Sequence, residues 1–377
     1  MPTMQYLTTT IFDHGAIKQT GQALKQLGVT RPLLVTDRGI VAAGIAERLI
    51  DAVSGLVAAV FDATPANPTE EAVEDALSLY REAGCDGLVA LGGGSSMDLA
   101  KGVGLWATHE GPYARFGATQ RGSKHIKAIP PLIALPTTAG TGSEVSVGAV
   151  IILRDGRKET FISPFLVPAR AICDPELTLG LPKGLTAATG MDAVTHCIEA
   201  VLSPMVHPPA EAIGLDGVHR AVREGWLERA VADGADKDAR WHMMMASFEG
   251  ALAFVKGLGG VHSLSHATGR IKALNLHHGA LNAIYLPHLL RFNAGAAPSK
   301  YARLREAMGL AAGADLADAM AALNARIAIP ENLKSLGVTS AHGPDIVEFA
   351  MTDLAHFTNA REIQRSDYEK LFEAALG

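Results

Sequence analysis

Apolar and polar residues in the first half of the chain alternate between two patterns. Short apolar runs at residues 32–36, 57–61, 86–91 and 131–135 predict buried strands. Apolar residues recur at helical spacing over residues 40–53 and again up to Ala83, with Thr69 as a predicted N-cap, and another helix is predicted from Met97. This order predicts a Rossmann-like parallel sheet with helices on both faces.

The pattern changes after about residue 180, where strand signals end and helical periodicity dominates. Helices are predicted around residues 210–222, 241–255, 304–310 and 346–357, and the Ala-rich residues 311–325 predict a surface helix. Pro182 and Gly184 mark the junction. We therefore predict an α/β domain at residues 1–180 and an all-α helical-bundle domain at residues 181–377.

Composition narrows the class of protein. A chain of 377 residues with 48% hydrophobic and 19% charged residues is typical of a folded protein of two domains. The net charge of -6 and the lack of a basic run argue against a nucleic-acid partner. No apolar run approaches the ~20 residues that span a membrane, no secretory signal is visible, and the three cysteines form no CxxC. A cytoplasmic protein without a membrane partner is expected.

Two glycine-rich turns follow predicted strands. Gly92-Gly93-Gly94-Ser95 comes after the third strand, and residues 136–144, rich in Thr and Gly, come after the fourth. Glycines let a phosphate approach the backbone amides, and a following helix offers its positive N-terminus. Neither turn matches GxGxxG or GxxxxGK[ST], and each taken singly also suits a plain tight turn. Two such turns at strand ends favour a nucleotide site.

Asp37 ends the first predicted strand. A carboxylate there can accept hydrogen bonds from a ribose 2′-hydroxyl and would repel a 2′-phosphate, which favours NAD over NADP. The alternative is an N-cap for the helix that follows, and for Asp37 taken singly this interpretation is favoured.

Two pairs of residues at a spacing of four indicate a metal site in the helical half. Asp192 and His196 form the first pair, His262 and His266 the second, and His278 follows after a short connection. Asp192, His196, His262 and His278 together give one carboxylate and three imidazoles, a set that suits Fe(II), Zn(II), Co(II) or Ni(II). The alternative is a structural role for these histidines, in a chain that contains 14 of them.

Several motifs occur in order along the chain and resemble those of one enzyme family. They are Gly92-Gly93-Gly94-Ser95-x-x-Asp98-x-x-Lys101, Pro136-Thr137-Thr138-Ala139-Gly140-Thr141-Gly142-Ser143-Glu144, Gly190-Met191-Asp192-Ala193-x-x-His196, His262-x-x-x-His266, His278-Gly279 and Asn282-Ala283-x-x-Leu286-Pro287. Together they resemble the iron-containing, group III alcohol dehydrogenases, which have a dehydroquinate synthase-like fold. The match runs from Asp37 to about Asn293.

The resemblance implies a role for each matching residue. Asp192, His196, His262 and His278 would bind Fe(II) or Zn(II), and His266 would lie near the nicotinamide without being a metal ligand. Residues around NAD would be Asp37, Asn67, Gly93, Gly94, Ser95, Asp98, Thr137, Thr138 and Leu177. The chain has a longer connection after His266 and a tandem His277-His278. His278 is assigned as the ligand because it precedes Gly279, with His277 as the rival.

The implied activity is hydride transfer between NAD and a primary alcohol, including a diol or an ω-hydroxy acid such as 4-hydroxybutyrate, in a homodimer or larger oligomer. His266 would relay the hydroxyl proton, or else only orient a metal ligand. Arg270 or Lys272 would bind a substrate carboxylate, although a solvated charged turn is favoured. The alternatives are an enzyme similar to maleylacetate reductase, to dehydroquinate synthase or to glycerol dehydrogenase, and a non-catalytic nucleotide-binding protein.

Overall fold

The computed structural model describes residues 8–377. These residues form two compact units. The described part of Gln5–Thr138 together with Gly142–Gly180 makes up the first, which we call the sheet unit. Ala139–Thr141 and Leu181–Gly377 belong to the second, which we call the helical unit.

The sheet unit contains a parallel sheet. Its strands are β1 (Thr9–Phe12), β2 (Pro32–Val35), β3 (Ala59–Phe61), β4 (Gly87–Gly92), β5 (Leu132–Pro136) and β8 (Arg170–Cys173), and β6 (Gly148–Ile152) and β7 (Lys158–Ile162) form a separate antiparallel pair. The six-stranded sheet has the order β1-β8-β5-β4-β2-β3, and all its pairings are parallel. The predicted parallel α/β fold is confirmed.

Helices cover both faces of this sheet. They are α1 (Thr20–Gln26), α2 (Arg38–Ala42), α3 (Ile45–Ala52), α4 (Glu70–Glu82) and α5 (Gly94–Thr108). Leu33 and Val35 pack in a core cluster with residues of α4 and α5, whereas Leu34 packs in a second cluster with residues of α1 and α3. Successive residues of a strand point to opposite faces, so each face of β2 has its own core.

Several element boundaries differ from the sequence prediction. Residues 40–53 form two helices because Gly44, at φ +72°, interrupts them in the left-handed region. The helix predicted from Met97 begins earlier, at Gly94, and the strand predicted at 57–61 is shorter. The predicted cap of α4 is confirmed, since Thr69 Oγ1 accepts a hydrogen bond from Ala72 N at 3.2 Å.

The helical unit contains α6 (Lys183–Leu202), α7 (Pro208–Val218), α8 (Trp226–Ala232), α9 (Lys237–Ala253), α10 (Gly260–Thr268), α11 (His278–Asn293), α12 (Pro298–Ala307), α13 (Leu316–Arg326), α14 (Gly343–Thr352) and α15 (Arg365–Leu376). Residues 181–377 contain no strand, as predicted. The helix predicted at 346–357 ends before Asp353. The surface helix predicted at the Ala-rich residues 311–325 begins only at Leu316, and four of its residues are buried. The helix predicted at 210–222 ends in a short π-helix at residues 219–223. The helix predicted at 304–310 begins earlier, at Pro298.

Helix α6 is the buried centre of the helical unit. Every residue from Thr186 to Leu202 is buried, including several polar ones. A buried polar side chain requires a partner, so this helix carries groups that bind either neighbouring side chains or a ligand. Among residues 8–377, no helix has both the length and the apolar character that a membrane span requires.

Candidate active site

Three of the four predicted metal ligands converge inside the helical unit. Asp192 and His196 lie one turn apart on α6, with Asp192 Oδ1 3.6 Å from His196 Nε2. His262 on α10 brings its Nε2 to 3.8 Å from the same oxygen. The exposed fractions of the three residues are 2%, 5% and 1%, and their ligand atoms lie within 4.8 Å of one another. These atoms can contact a single ion.

His278 joins this cluster from the first position of α11. Its Nε2 lies 3.5 Å from Asp192 Oδ1, and its side chain is 32% exposed. Gly279 makes this approach feasible, because a Cβ there would lie 2.1 Å from the carbonyl oxygen of Ala188 on α6. The glycine after the histidine therefore lets the start of α11 pack against α6 beside Asp192. His277 precedes the helix and is exposed.

Glu199 fixes the orientation of His262. Its Oε2 lies 2.6 Å from His262 Nδ1, and its Oε1 accepts a hydrogen bond from Val261 N at 2.8 Å. Burial, reinforced by the nearby His196, lowers the pKa of His262 well below its usual value, and burial raises the pKa of Glu199 to about 7. A proton held between Nδ1 and the carboxylate leaves Nε2 with its lone pair directed at the cluster. The sequence analysis missed Glu199, although its position on α6, seven residues after Asp192, was a usable signal.

Asn282, one turn into α11, also points at the cluster. Its Nδ2 donates to Asp192 Oδ1 at 2.7 Å and lies 3.1 Å from His278 Nε2 and 3.3 Å from His262 Nε2. Among residues 8–377, neither Asn282 Oδ1 nor His196 Nδ1 has a hydrogen-bond partner, although both are buried. The motif alone does not indicate a role for Asn282, whereas its contacts show that it holds the Asp192 carboxylate in place.

This donor set fits a divalent metal. One carboxylate and three imidazoles, with no thiolate, are ligands that Fe(II) and Zn(II) accept. The neutral His262 presents an unprotonated Nε2, which metal binding requires. The ligand atoms of Asp192, His196 and His262 converge within 4.8 Å of one another, and His278 Nε2 lies 3.5 Å from Asp192 Oδ1, so a cation bound between them could contact all four residues.

His266 lies beside the cluster and forms a dyad with Asp353. His266 Nδ1 is 2.9 Å from Asp353 Oδ2, and the His266 ring stacks on that of His278 with 5.1 Å between centroids. Asp353 Oδ1 also accepts a hydrogen bond from Ala355 N at 2.8 Å. Burial would raise the pKa of Asp353, but the His266 charge and hydrogen bond hold it below its usual value. The ionised carboxylate orients His266 so that Nε2 can accept a proton.

Arg270 and Lys272, the two cationic residues that follow α10, lie in different surroundings. The Arg270 guanidinium carbon lies 3.7 Å from the centre of the Phe349 ring, and Arg270 is half-buried. Lys272 begins a short 3₁₀ turn and is exposed. Only Arg270 is therefore held in a fixed position by an aromatic ring.

The two glycine-rich turns of the sheet unit lie next to each other. A Cβ at Gly93 would be 3.5 Å from Thr138 Oγ1, and Thr137 N donates to Gly92 O at 2.9 Å. A Cβ at Gly92 would lie 2.4 Å from Ser96 Oγ, so the turn into α5 requires glycine there. The N-terminus of α5, formed by Gly94 and Ser95, and the Thr137-Thr138 turn thus share one edge of the sheet, where strands β4 and β5 end.

The remaining predicted nucleotide residues lie in different settings. Asp37 is the N-cap of α2, because Oδ1 accepts hydrogen bonds from Gly39 N and Ile40 N at 2.8 and 3.0 Å, and the capping interpretation is therefore confirmed. Asn67 Oδ1 accepts a hydrogen bond from Lys158 Nζ at 3.4 Å, and Ser95 Oγ donates to Ala66 O at 2.5 Å. Leu177 lies in the apolar core, with 2% exposed.

Asp98 and Lys101, both on α5, hold the second glycine-rich turn (residues 136–144) through hydrogen bonds to Ser143. Asp98 Oδ1 accepts a hydrogen bond from Ser143 Oγ at 2.7 Å, and Oδ2 accepts one from Val150 N at 3.0 Å. Lys101 is fully buried, and its Nζ donates to Ser143 O, Ser143 Oγ, Ser146 O and Gly148 O at 2.7–3.1 Å. Both oxygens of Asp98 are thus used inside the protein, so this residue shapes the loop.

Comparisons with known proteins agree with this geometry. The model of the iron-containing alcohol dehydrogenases matches residues 8–175, and that of the Fe-containing alcohol dehydrogenase family C-terminal region matches residues 186–376. The chain is 53% identical to a 4-hydroxybutyrate dehydrogenase of Cupriavidus necator, over 100% of each protein.

Two solved structures are also similar. A 1,3-propanediol oxidoreductase has 34% identity and a TM-score of 0.93, over 99% of this chain and 100% of that one. A sulfoacetaldehyde reductase of Bifidobacterium kashiwanohense, solved with NAD+, has 29% identity and a TM-score of 0.89, over 100% and 99%. The chain therefore belongs to the iron-containing alcohol dehydrogenase family.

Proposed function

We propose that this alcohol dehydrogenase uses NAD and a divalent metal to interconvert an ω-hydroxy acid, such as 4-hydroxybutyrate, and its aldehyde. The observation that carries the metal-dependent reaction is the convergence of Asp192, His196, His262 and His278 on one buried point, with Glu199 and Asn282 holding the ligands. The choice of a hydroxy acid is supported by the 53% identity to a 4-hydroxybutyrate dehydrogenase.

Asp192, His196, His262 and His278 would hold Fe(II) or Zn(II). The metal would lower the pKa of a substrate hydroxyl, and NAD would supply the hydride acceptor for the carbinol carbon. His266 is the residue that we propose to take the hydroxyl proton at Nε2, because Asp353 holds Nδ1 at 2.9 Å and stabilises the protonated ring. The stacking of His266 on His278 keeps that nitrogen beside the metal ligands.

NAD would bind at the glycine-rich edge of the sheet unit. The backbone at Gly93, Gly94 and Ser95 and the hydroxyls of Thr137 and Thr138 suit phosphate and ribose oxygens. Asp37 uses Oδ1 for the helix cap, while Oδ2 lies 3.6 Å from the Cβ position of Gly92 and thus faces the turn. Its charge opposes a 2′-phosphate, so NAD is preferred over NADP. Asn67, Asp98 and Leu177 would support this site through their packing.

The direct test is a substrate screen of protein purified anaerobically and supplied with Fe(II) or Zn(II). We expect oxidation of 4-hydroxybutyrate and 1,4-butanediol with NAD, slower reaction with NADP, and loss of activity when a chelator is added. Turnover that is insensitive to the chelator would contradict the metal-dependent reaction. NAD binding without turnover of any alcohol would instead favour the non-catalytic alternative, and reduction of maleylacetate without alcohol oxidation would favour the reductase alternative.

We further propose that the enzyme works in the cytoplasm, as a homodimer or larger oligomer. Cys85, Cys173 and Cys197 are free thiols, which suits a reducing compartment. Light scattering of the purified protein and fractionation of cells that express it would test both statements. A monomer, or export to an oxidising compartment, would contradict them.

A further inference from the structure

We propose that Arg270 binds the carboxylate of the substrate and so sets the preference for a hydroxy acid over a neutral alcohol or diol. This inference rests on the proposed function and adds the residue that recognises the acid. It depends on where Arg270 lies relative to His266 and the metal ligands, all within the helical unit.

Two cross-helix contacts fix that position. His266 on α10 forms a hydrogen bond with Asp353, which directly follows α14. The guanidinium carbon of Arg270 lies over the ring of Phe349, which is on α14. Arg270 comes four residues after His266, whereas its partner Phe349 comes four residues before Asp353. This opposite order is expected for two helices that pack antiparallel. Arg270 N donates to Ala267 O at 3.2 Å, so the last turn of α10 continues to Arg270. Arg270 therefore lies one turn beyond His266 on the same face.

The distances suit a short hydroxy acid. The His266 ring lies 5.1 Å from that of His278, and one helical turn, about 5.4 Å, separates His266 from Arg270. In 4-hydroxybutyrate, three bonds separate the carbinol carbon from the carboxyl carbon, which is about 4 Å when extended. A substrate whose hydroxyl lies beside His278 and His266 can thus extend its carboxylate towards Arg270.

The stacking of Arg270 on Phe349 suits this role. The guanidinium carbon of Arg270 lies over the ring, 3.7 Å from its centre, and a guanidinium group can match a carboxylate in a two-point contact through its N–H groups. The ring holds the long side chain in one conformation, which lowers the entropy lost on binding. Lys272, by contrast, is an exposed point charge on a turn, which suits a solvated residue.

The test compares 4-hydroxybutyrate with 1,4-butanediol, which has the same chain length and no charge. We expect Arg270→Gln to lower the ratio of kcat/KM for the acid to that for the diol by roughly 10- to 100-fold, mainly through KM. Arg270→Lys should give an intermediate ratio, because it keeps the charge without the planar fork. The matched control Lys272→Gln should leave the ratio within about twofold.

Inhibition by a carboxylate that is not a substrate separates a loss of carboxylate binding from a folding defect. Butyrate should inhibit diol oxidation by the wild-type enzyme and inhibit Arg270→Gln much more weakly, whereas inhibition by neutral butyramide should change little. An unchanged acid-to-diol ratio in both Arg270 variants, or a drop in Lys272→Gln instead, would overturn the inference. A wild-type enzyme that ignores the acid, whether or not it oxidises diols, contradicts the proposed function itself, whereas the Arg270 and Lys272 variants test the inference in an enzyme that oxidises the acid.

Discussion

The metal-ligand cluster of the helical unit and the glycine-rich turns of the sheet unit present their functional atoms in different ways. In and beside the cluster, two of the histidines are each held by a carboxylate: Glu199 orients His262, and Asp353 orients His266. At the turns, the backbone conformation positions the amides and hydroxyls, and that conformation depends on Gly92 and on the buried Lys101, whose Nζ donates to the oxygens of the loop.

Substitutions in the two regions should therefore have different effects. A side chain that orients another can lose its function while the helices stay packed, so changes in the cluster should alter chemistry more than stability. A buried cation that holds four loop oxygens in place is part of the fold, so its removal should act on stability first.

The largest effect is expected at His266 in the helical unit. His266→Ala removes the proposed proton acceptor and should lower turnover by roughly 10²- to 10⁴-fold, with metal content unchanged. Asp353→Asn should lower turnover less and should shift the pH–rate profile, because the imidazole loses its charged partner. Steady-state kinetics across pH and metal analysis of the same samples check both results. Loss of metal from His266→Ala would contradict the relay role.

The next largest effect is expected at Lys101 in the sheet unit. Lys101→Met leaves the half-buried carboxylate of Asp98 without its nearby cation and removes the donor from three backbone carbonyls. Breaking a buried charged network in this way costs about 3–5 kcal/mol in the free energy of unfolding. The exposed Lys25→Met in α1 is the matched control and should change stability little.

Fluorescence can assign this loss of stability to the correct unit. Trp106 is buried in α5, whereas Trp226 and Trp241 lie in the helical unit. In a background with Phe at positions 226 and 241, urea unfolding reports on the sheet unit through Trp106. An unchanged midpoint for Lys101→Met would show that the turn does not depend on this buried cation.

A smaller effect is expected at Glu199. Glu199→Gln keeps the size of the side chain and removes the charge that stabilises the Nδ1 proton of His262, so metal affinity should fall by roughly 10- to 100-fold. Titration of the metal-free protein with Co(II), followed by absorbance, measures that affinity directly. Unchanged affinity and spectrum would mean that Glu199 only packs. A lower melting temperature of the metal-free protein would indicate a structural role instead.

The smallest effect is expected at Asp37. Asp37→Ala removes the cap of α2 and should cost about 1 kcal/mol of stability, whereas Asp37→Asn keeps a good cap. Both substitutions remove the charge that opposes a 2′-phosphate, so both should raise the use of NADP relative to NAD. Comparison of the cofactor ratio with the melting temperature separates the two roles. An unchanged ratio in both variants would leave Asp37 as a cap only.

The sequence was most informative where a function depends on residues close together in the chain. Asp192 and His196 could be paired from the spacing of four, and Thr69 could be identified as a cap, because helix geometry fixes both. The parallel sheet followed from the alternation of patterns. Strands β1, β6, β7 and β8 were not predicted. β1, β7 and β8 begin with polar residues, so they lack the continuous apolar run that marks β2 and β5.

The sequence was least informative where partners come from distant elements. Glu199 and His262 are 63 residues apart, and His266 and Asp353 are 87 apart, so no local pattern joins them. Lys101 was part of a recognised motif, but its four contacts lie on residues 143–148 and depend on how that loop folds back. Packing between elements, which is non-local, determines these contacts.

We propose that Asp192, His196, His262 and His278 together hold one divalent metal. The most direct measurement is the metal content of protein loaded anaerobically with Fe(II) and desalted, for the wild type, His278→Ala and the adjacent control His277→Ala. We predict about one metal per chain for the wild type and His277→Ala, and loss of most of the metal from His278→Ala. A wild type that binds no metal, or a His278→Ala variant that retains it while His277→Ala loses it, would contradict the account.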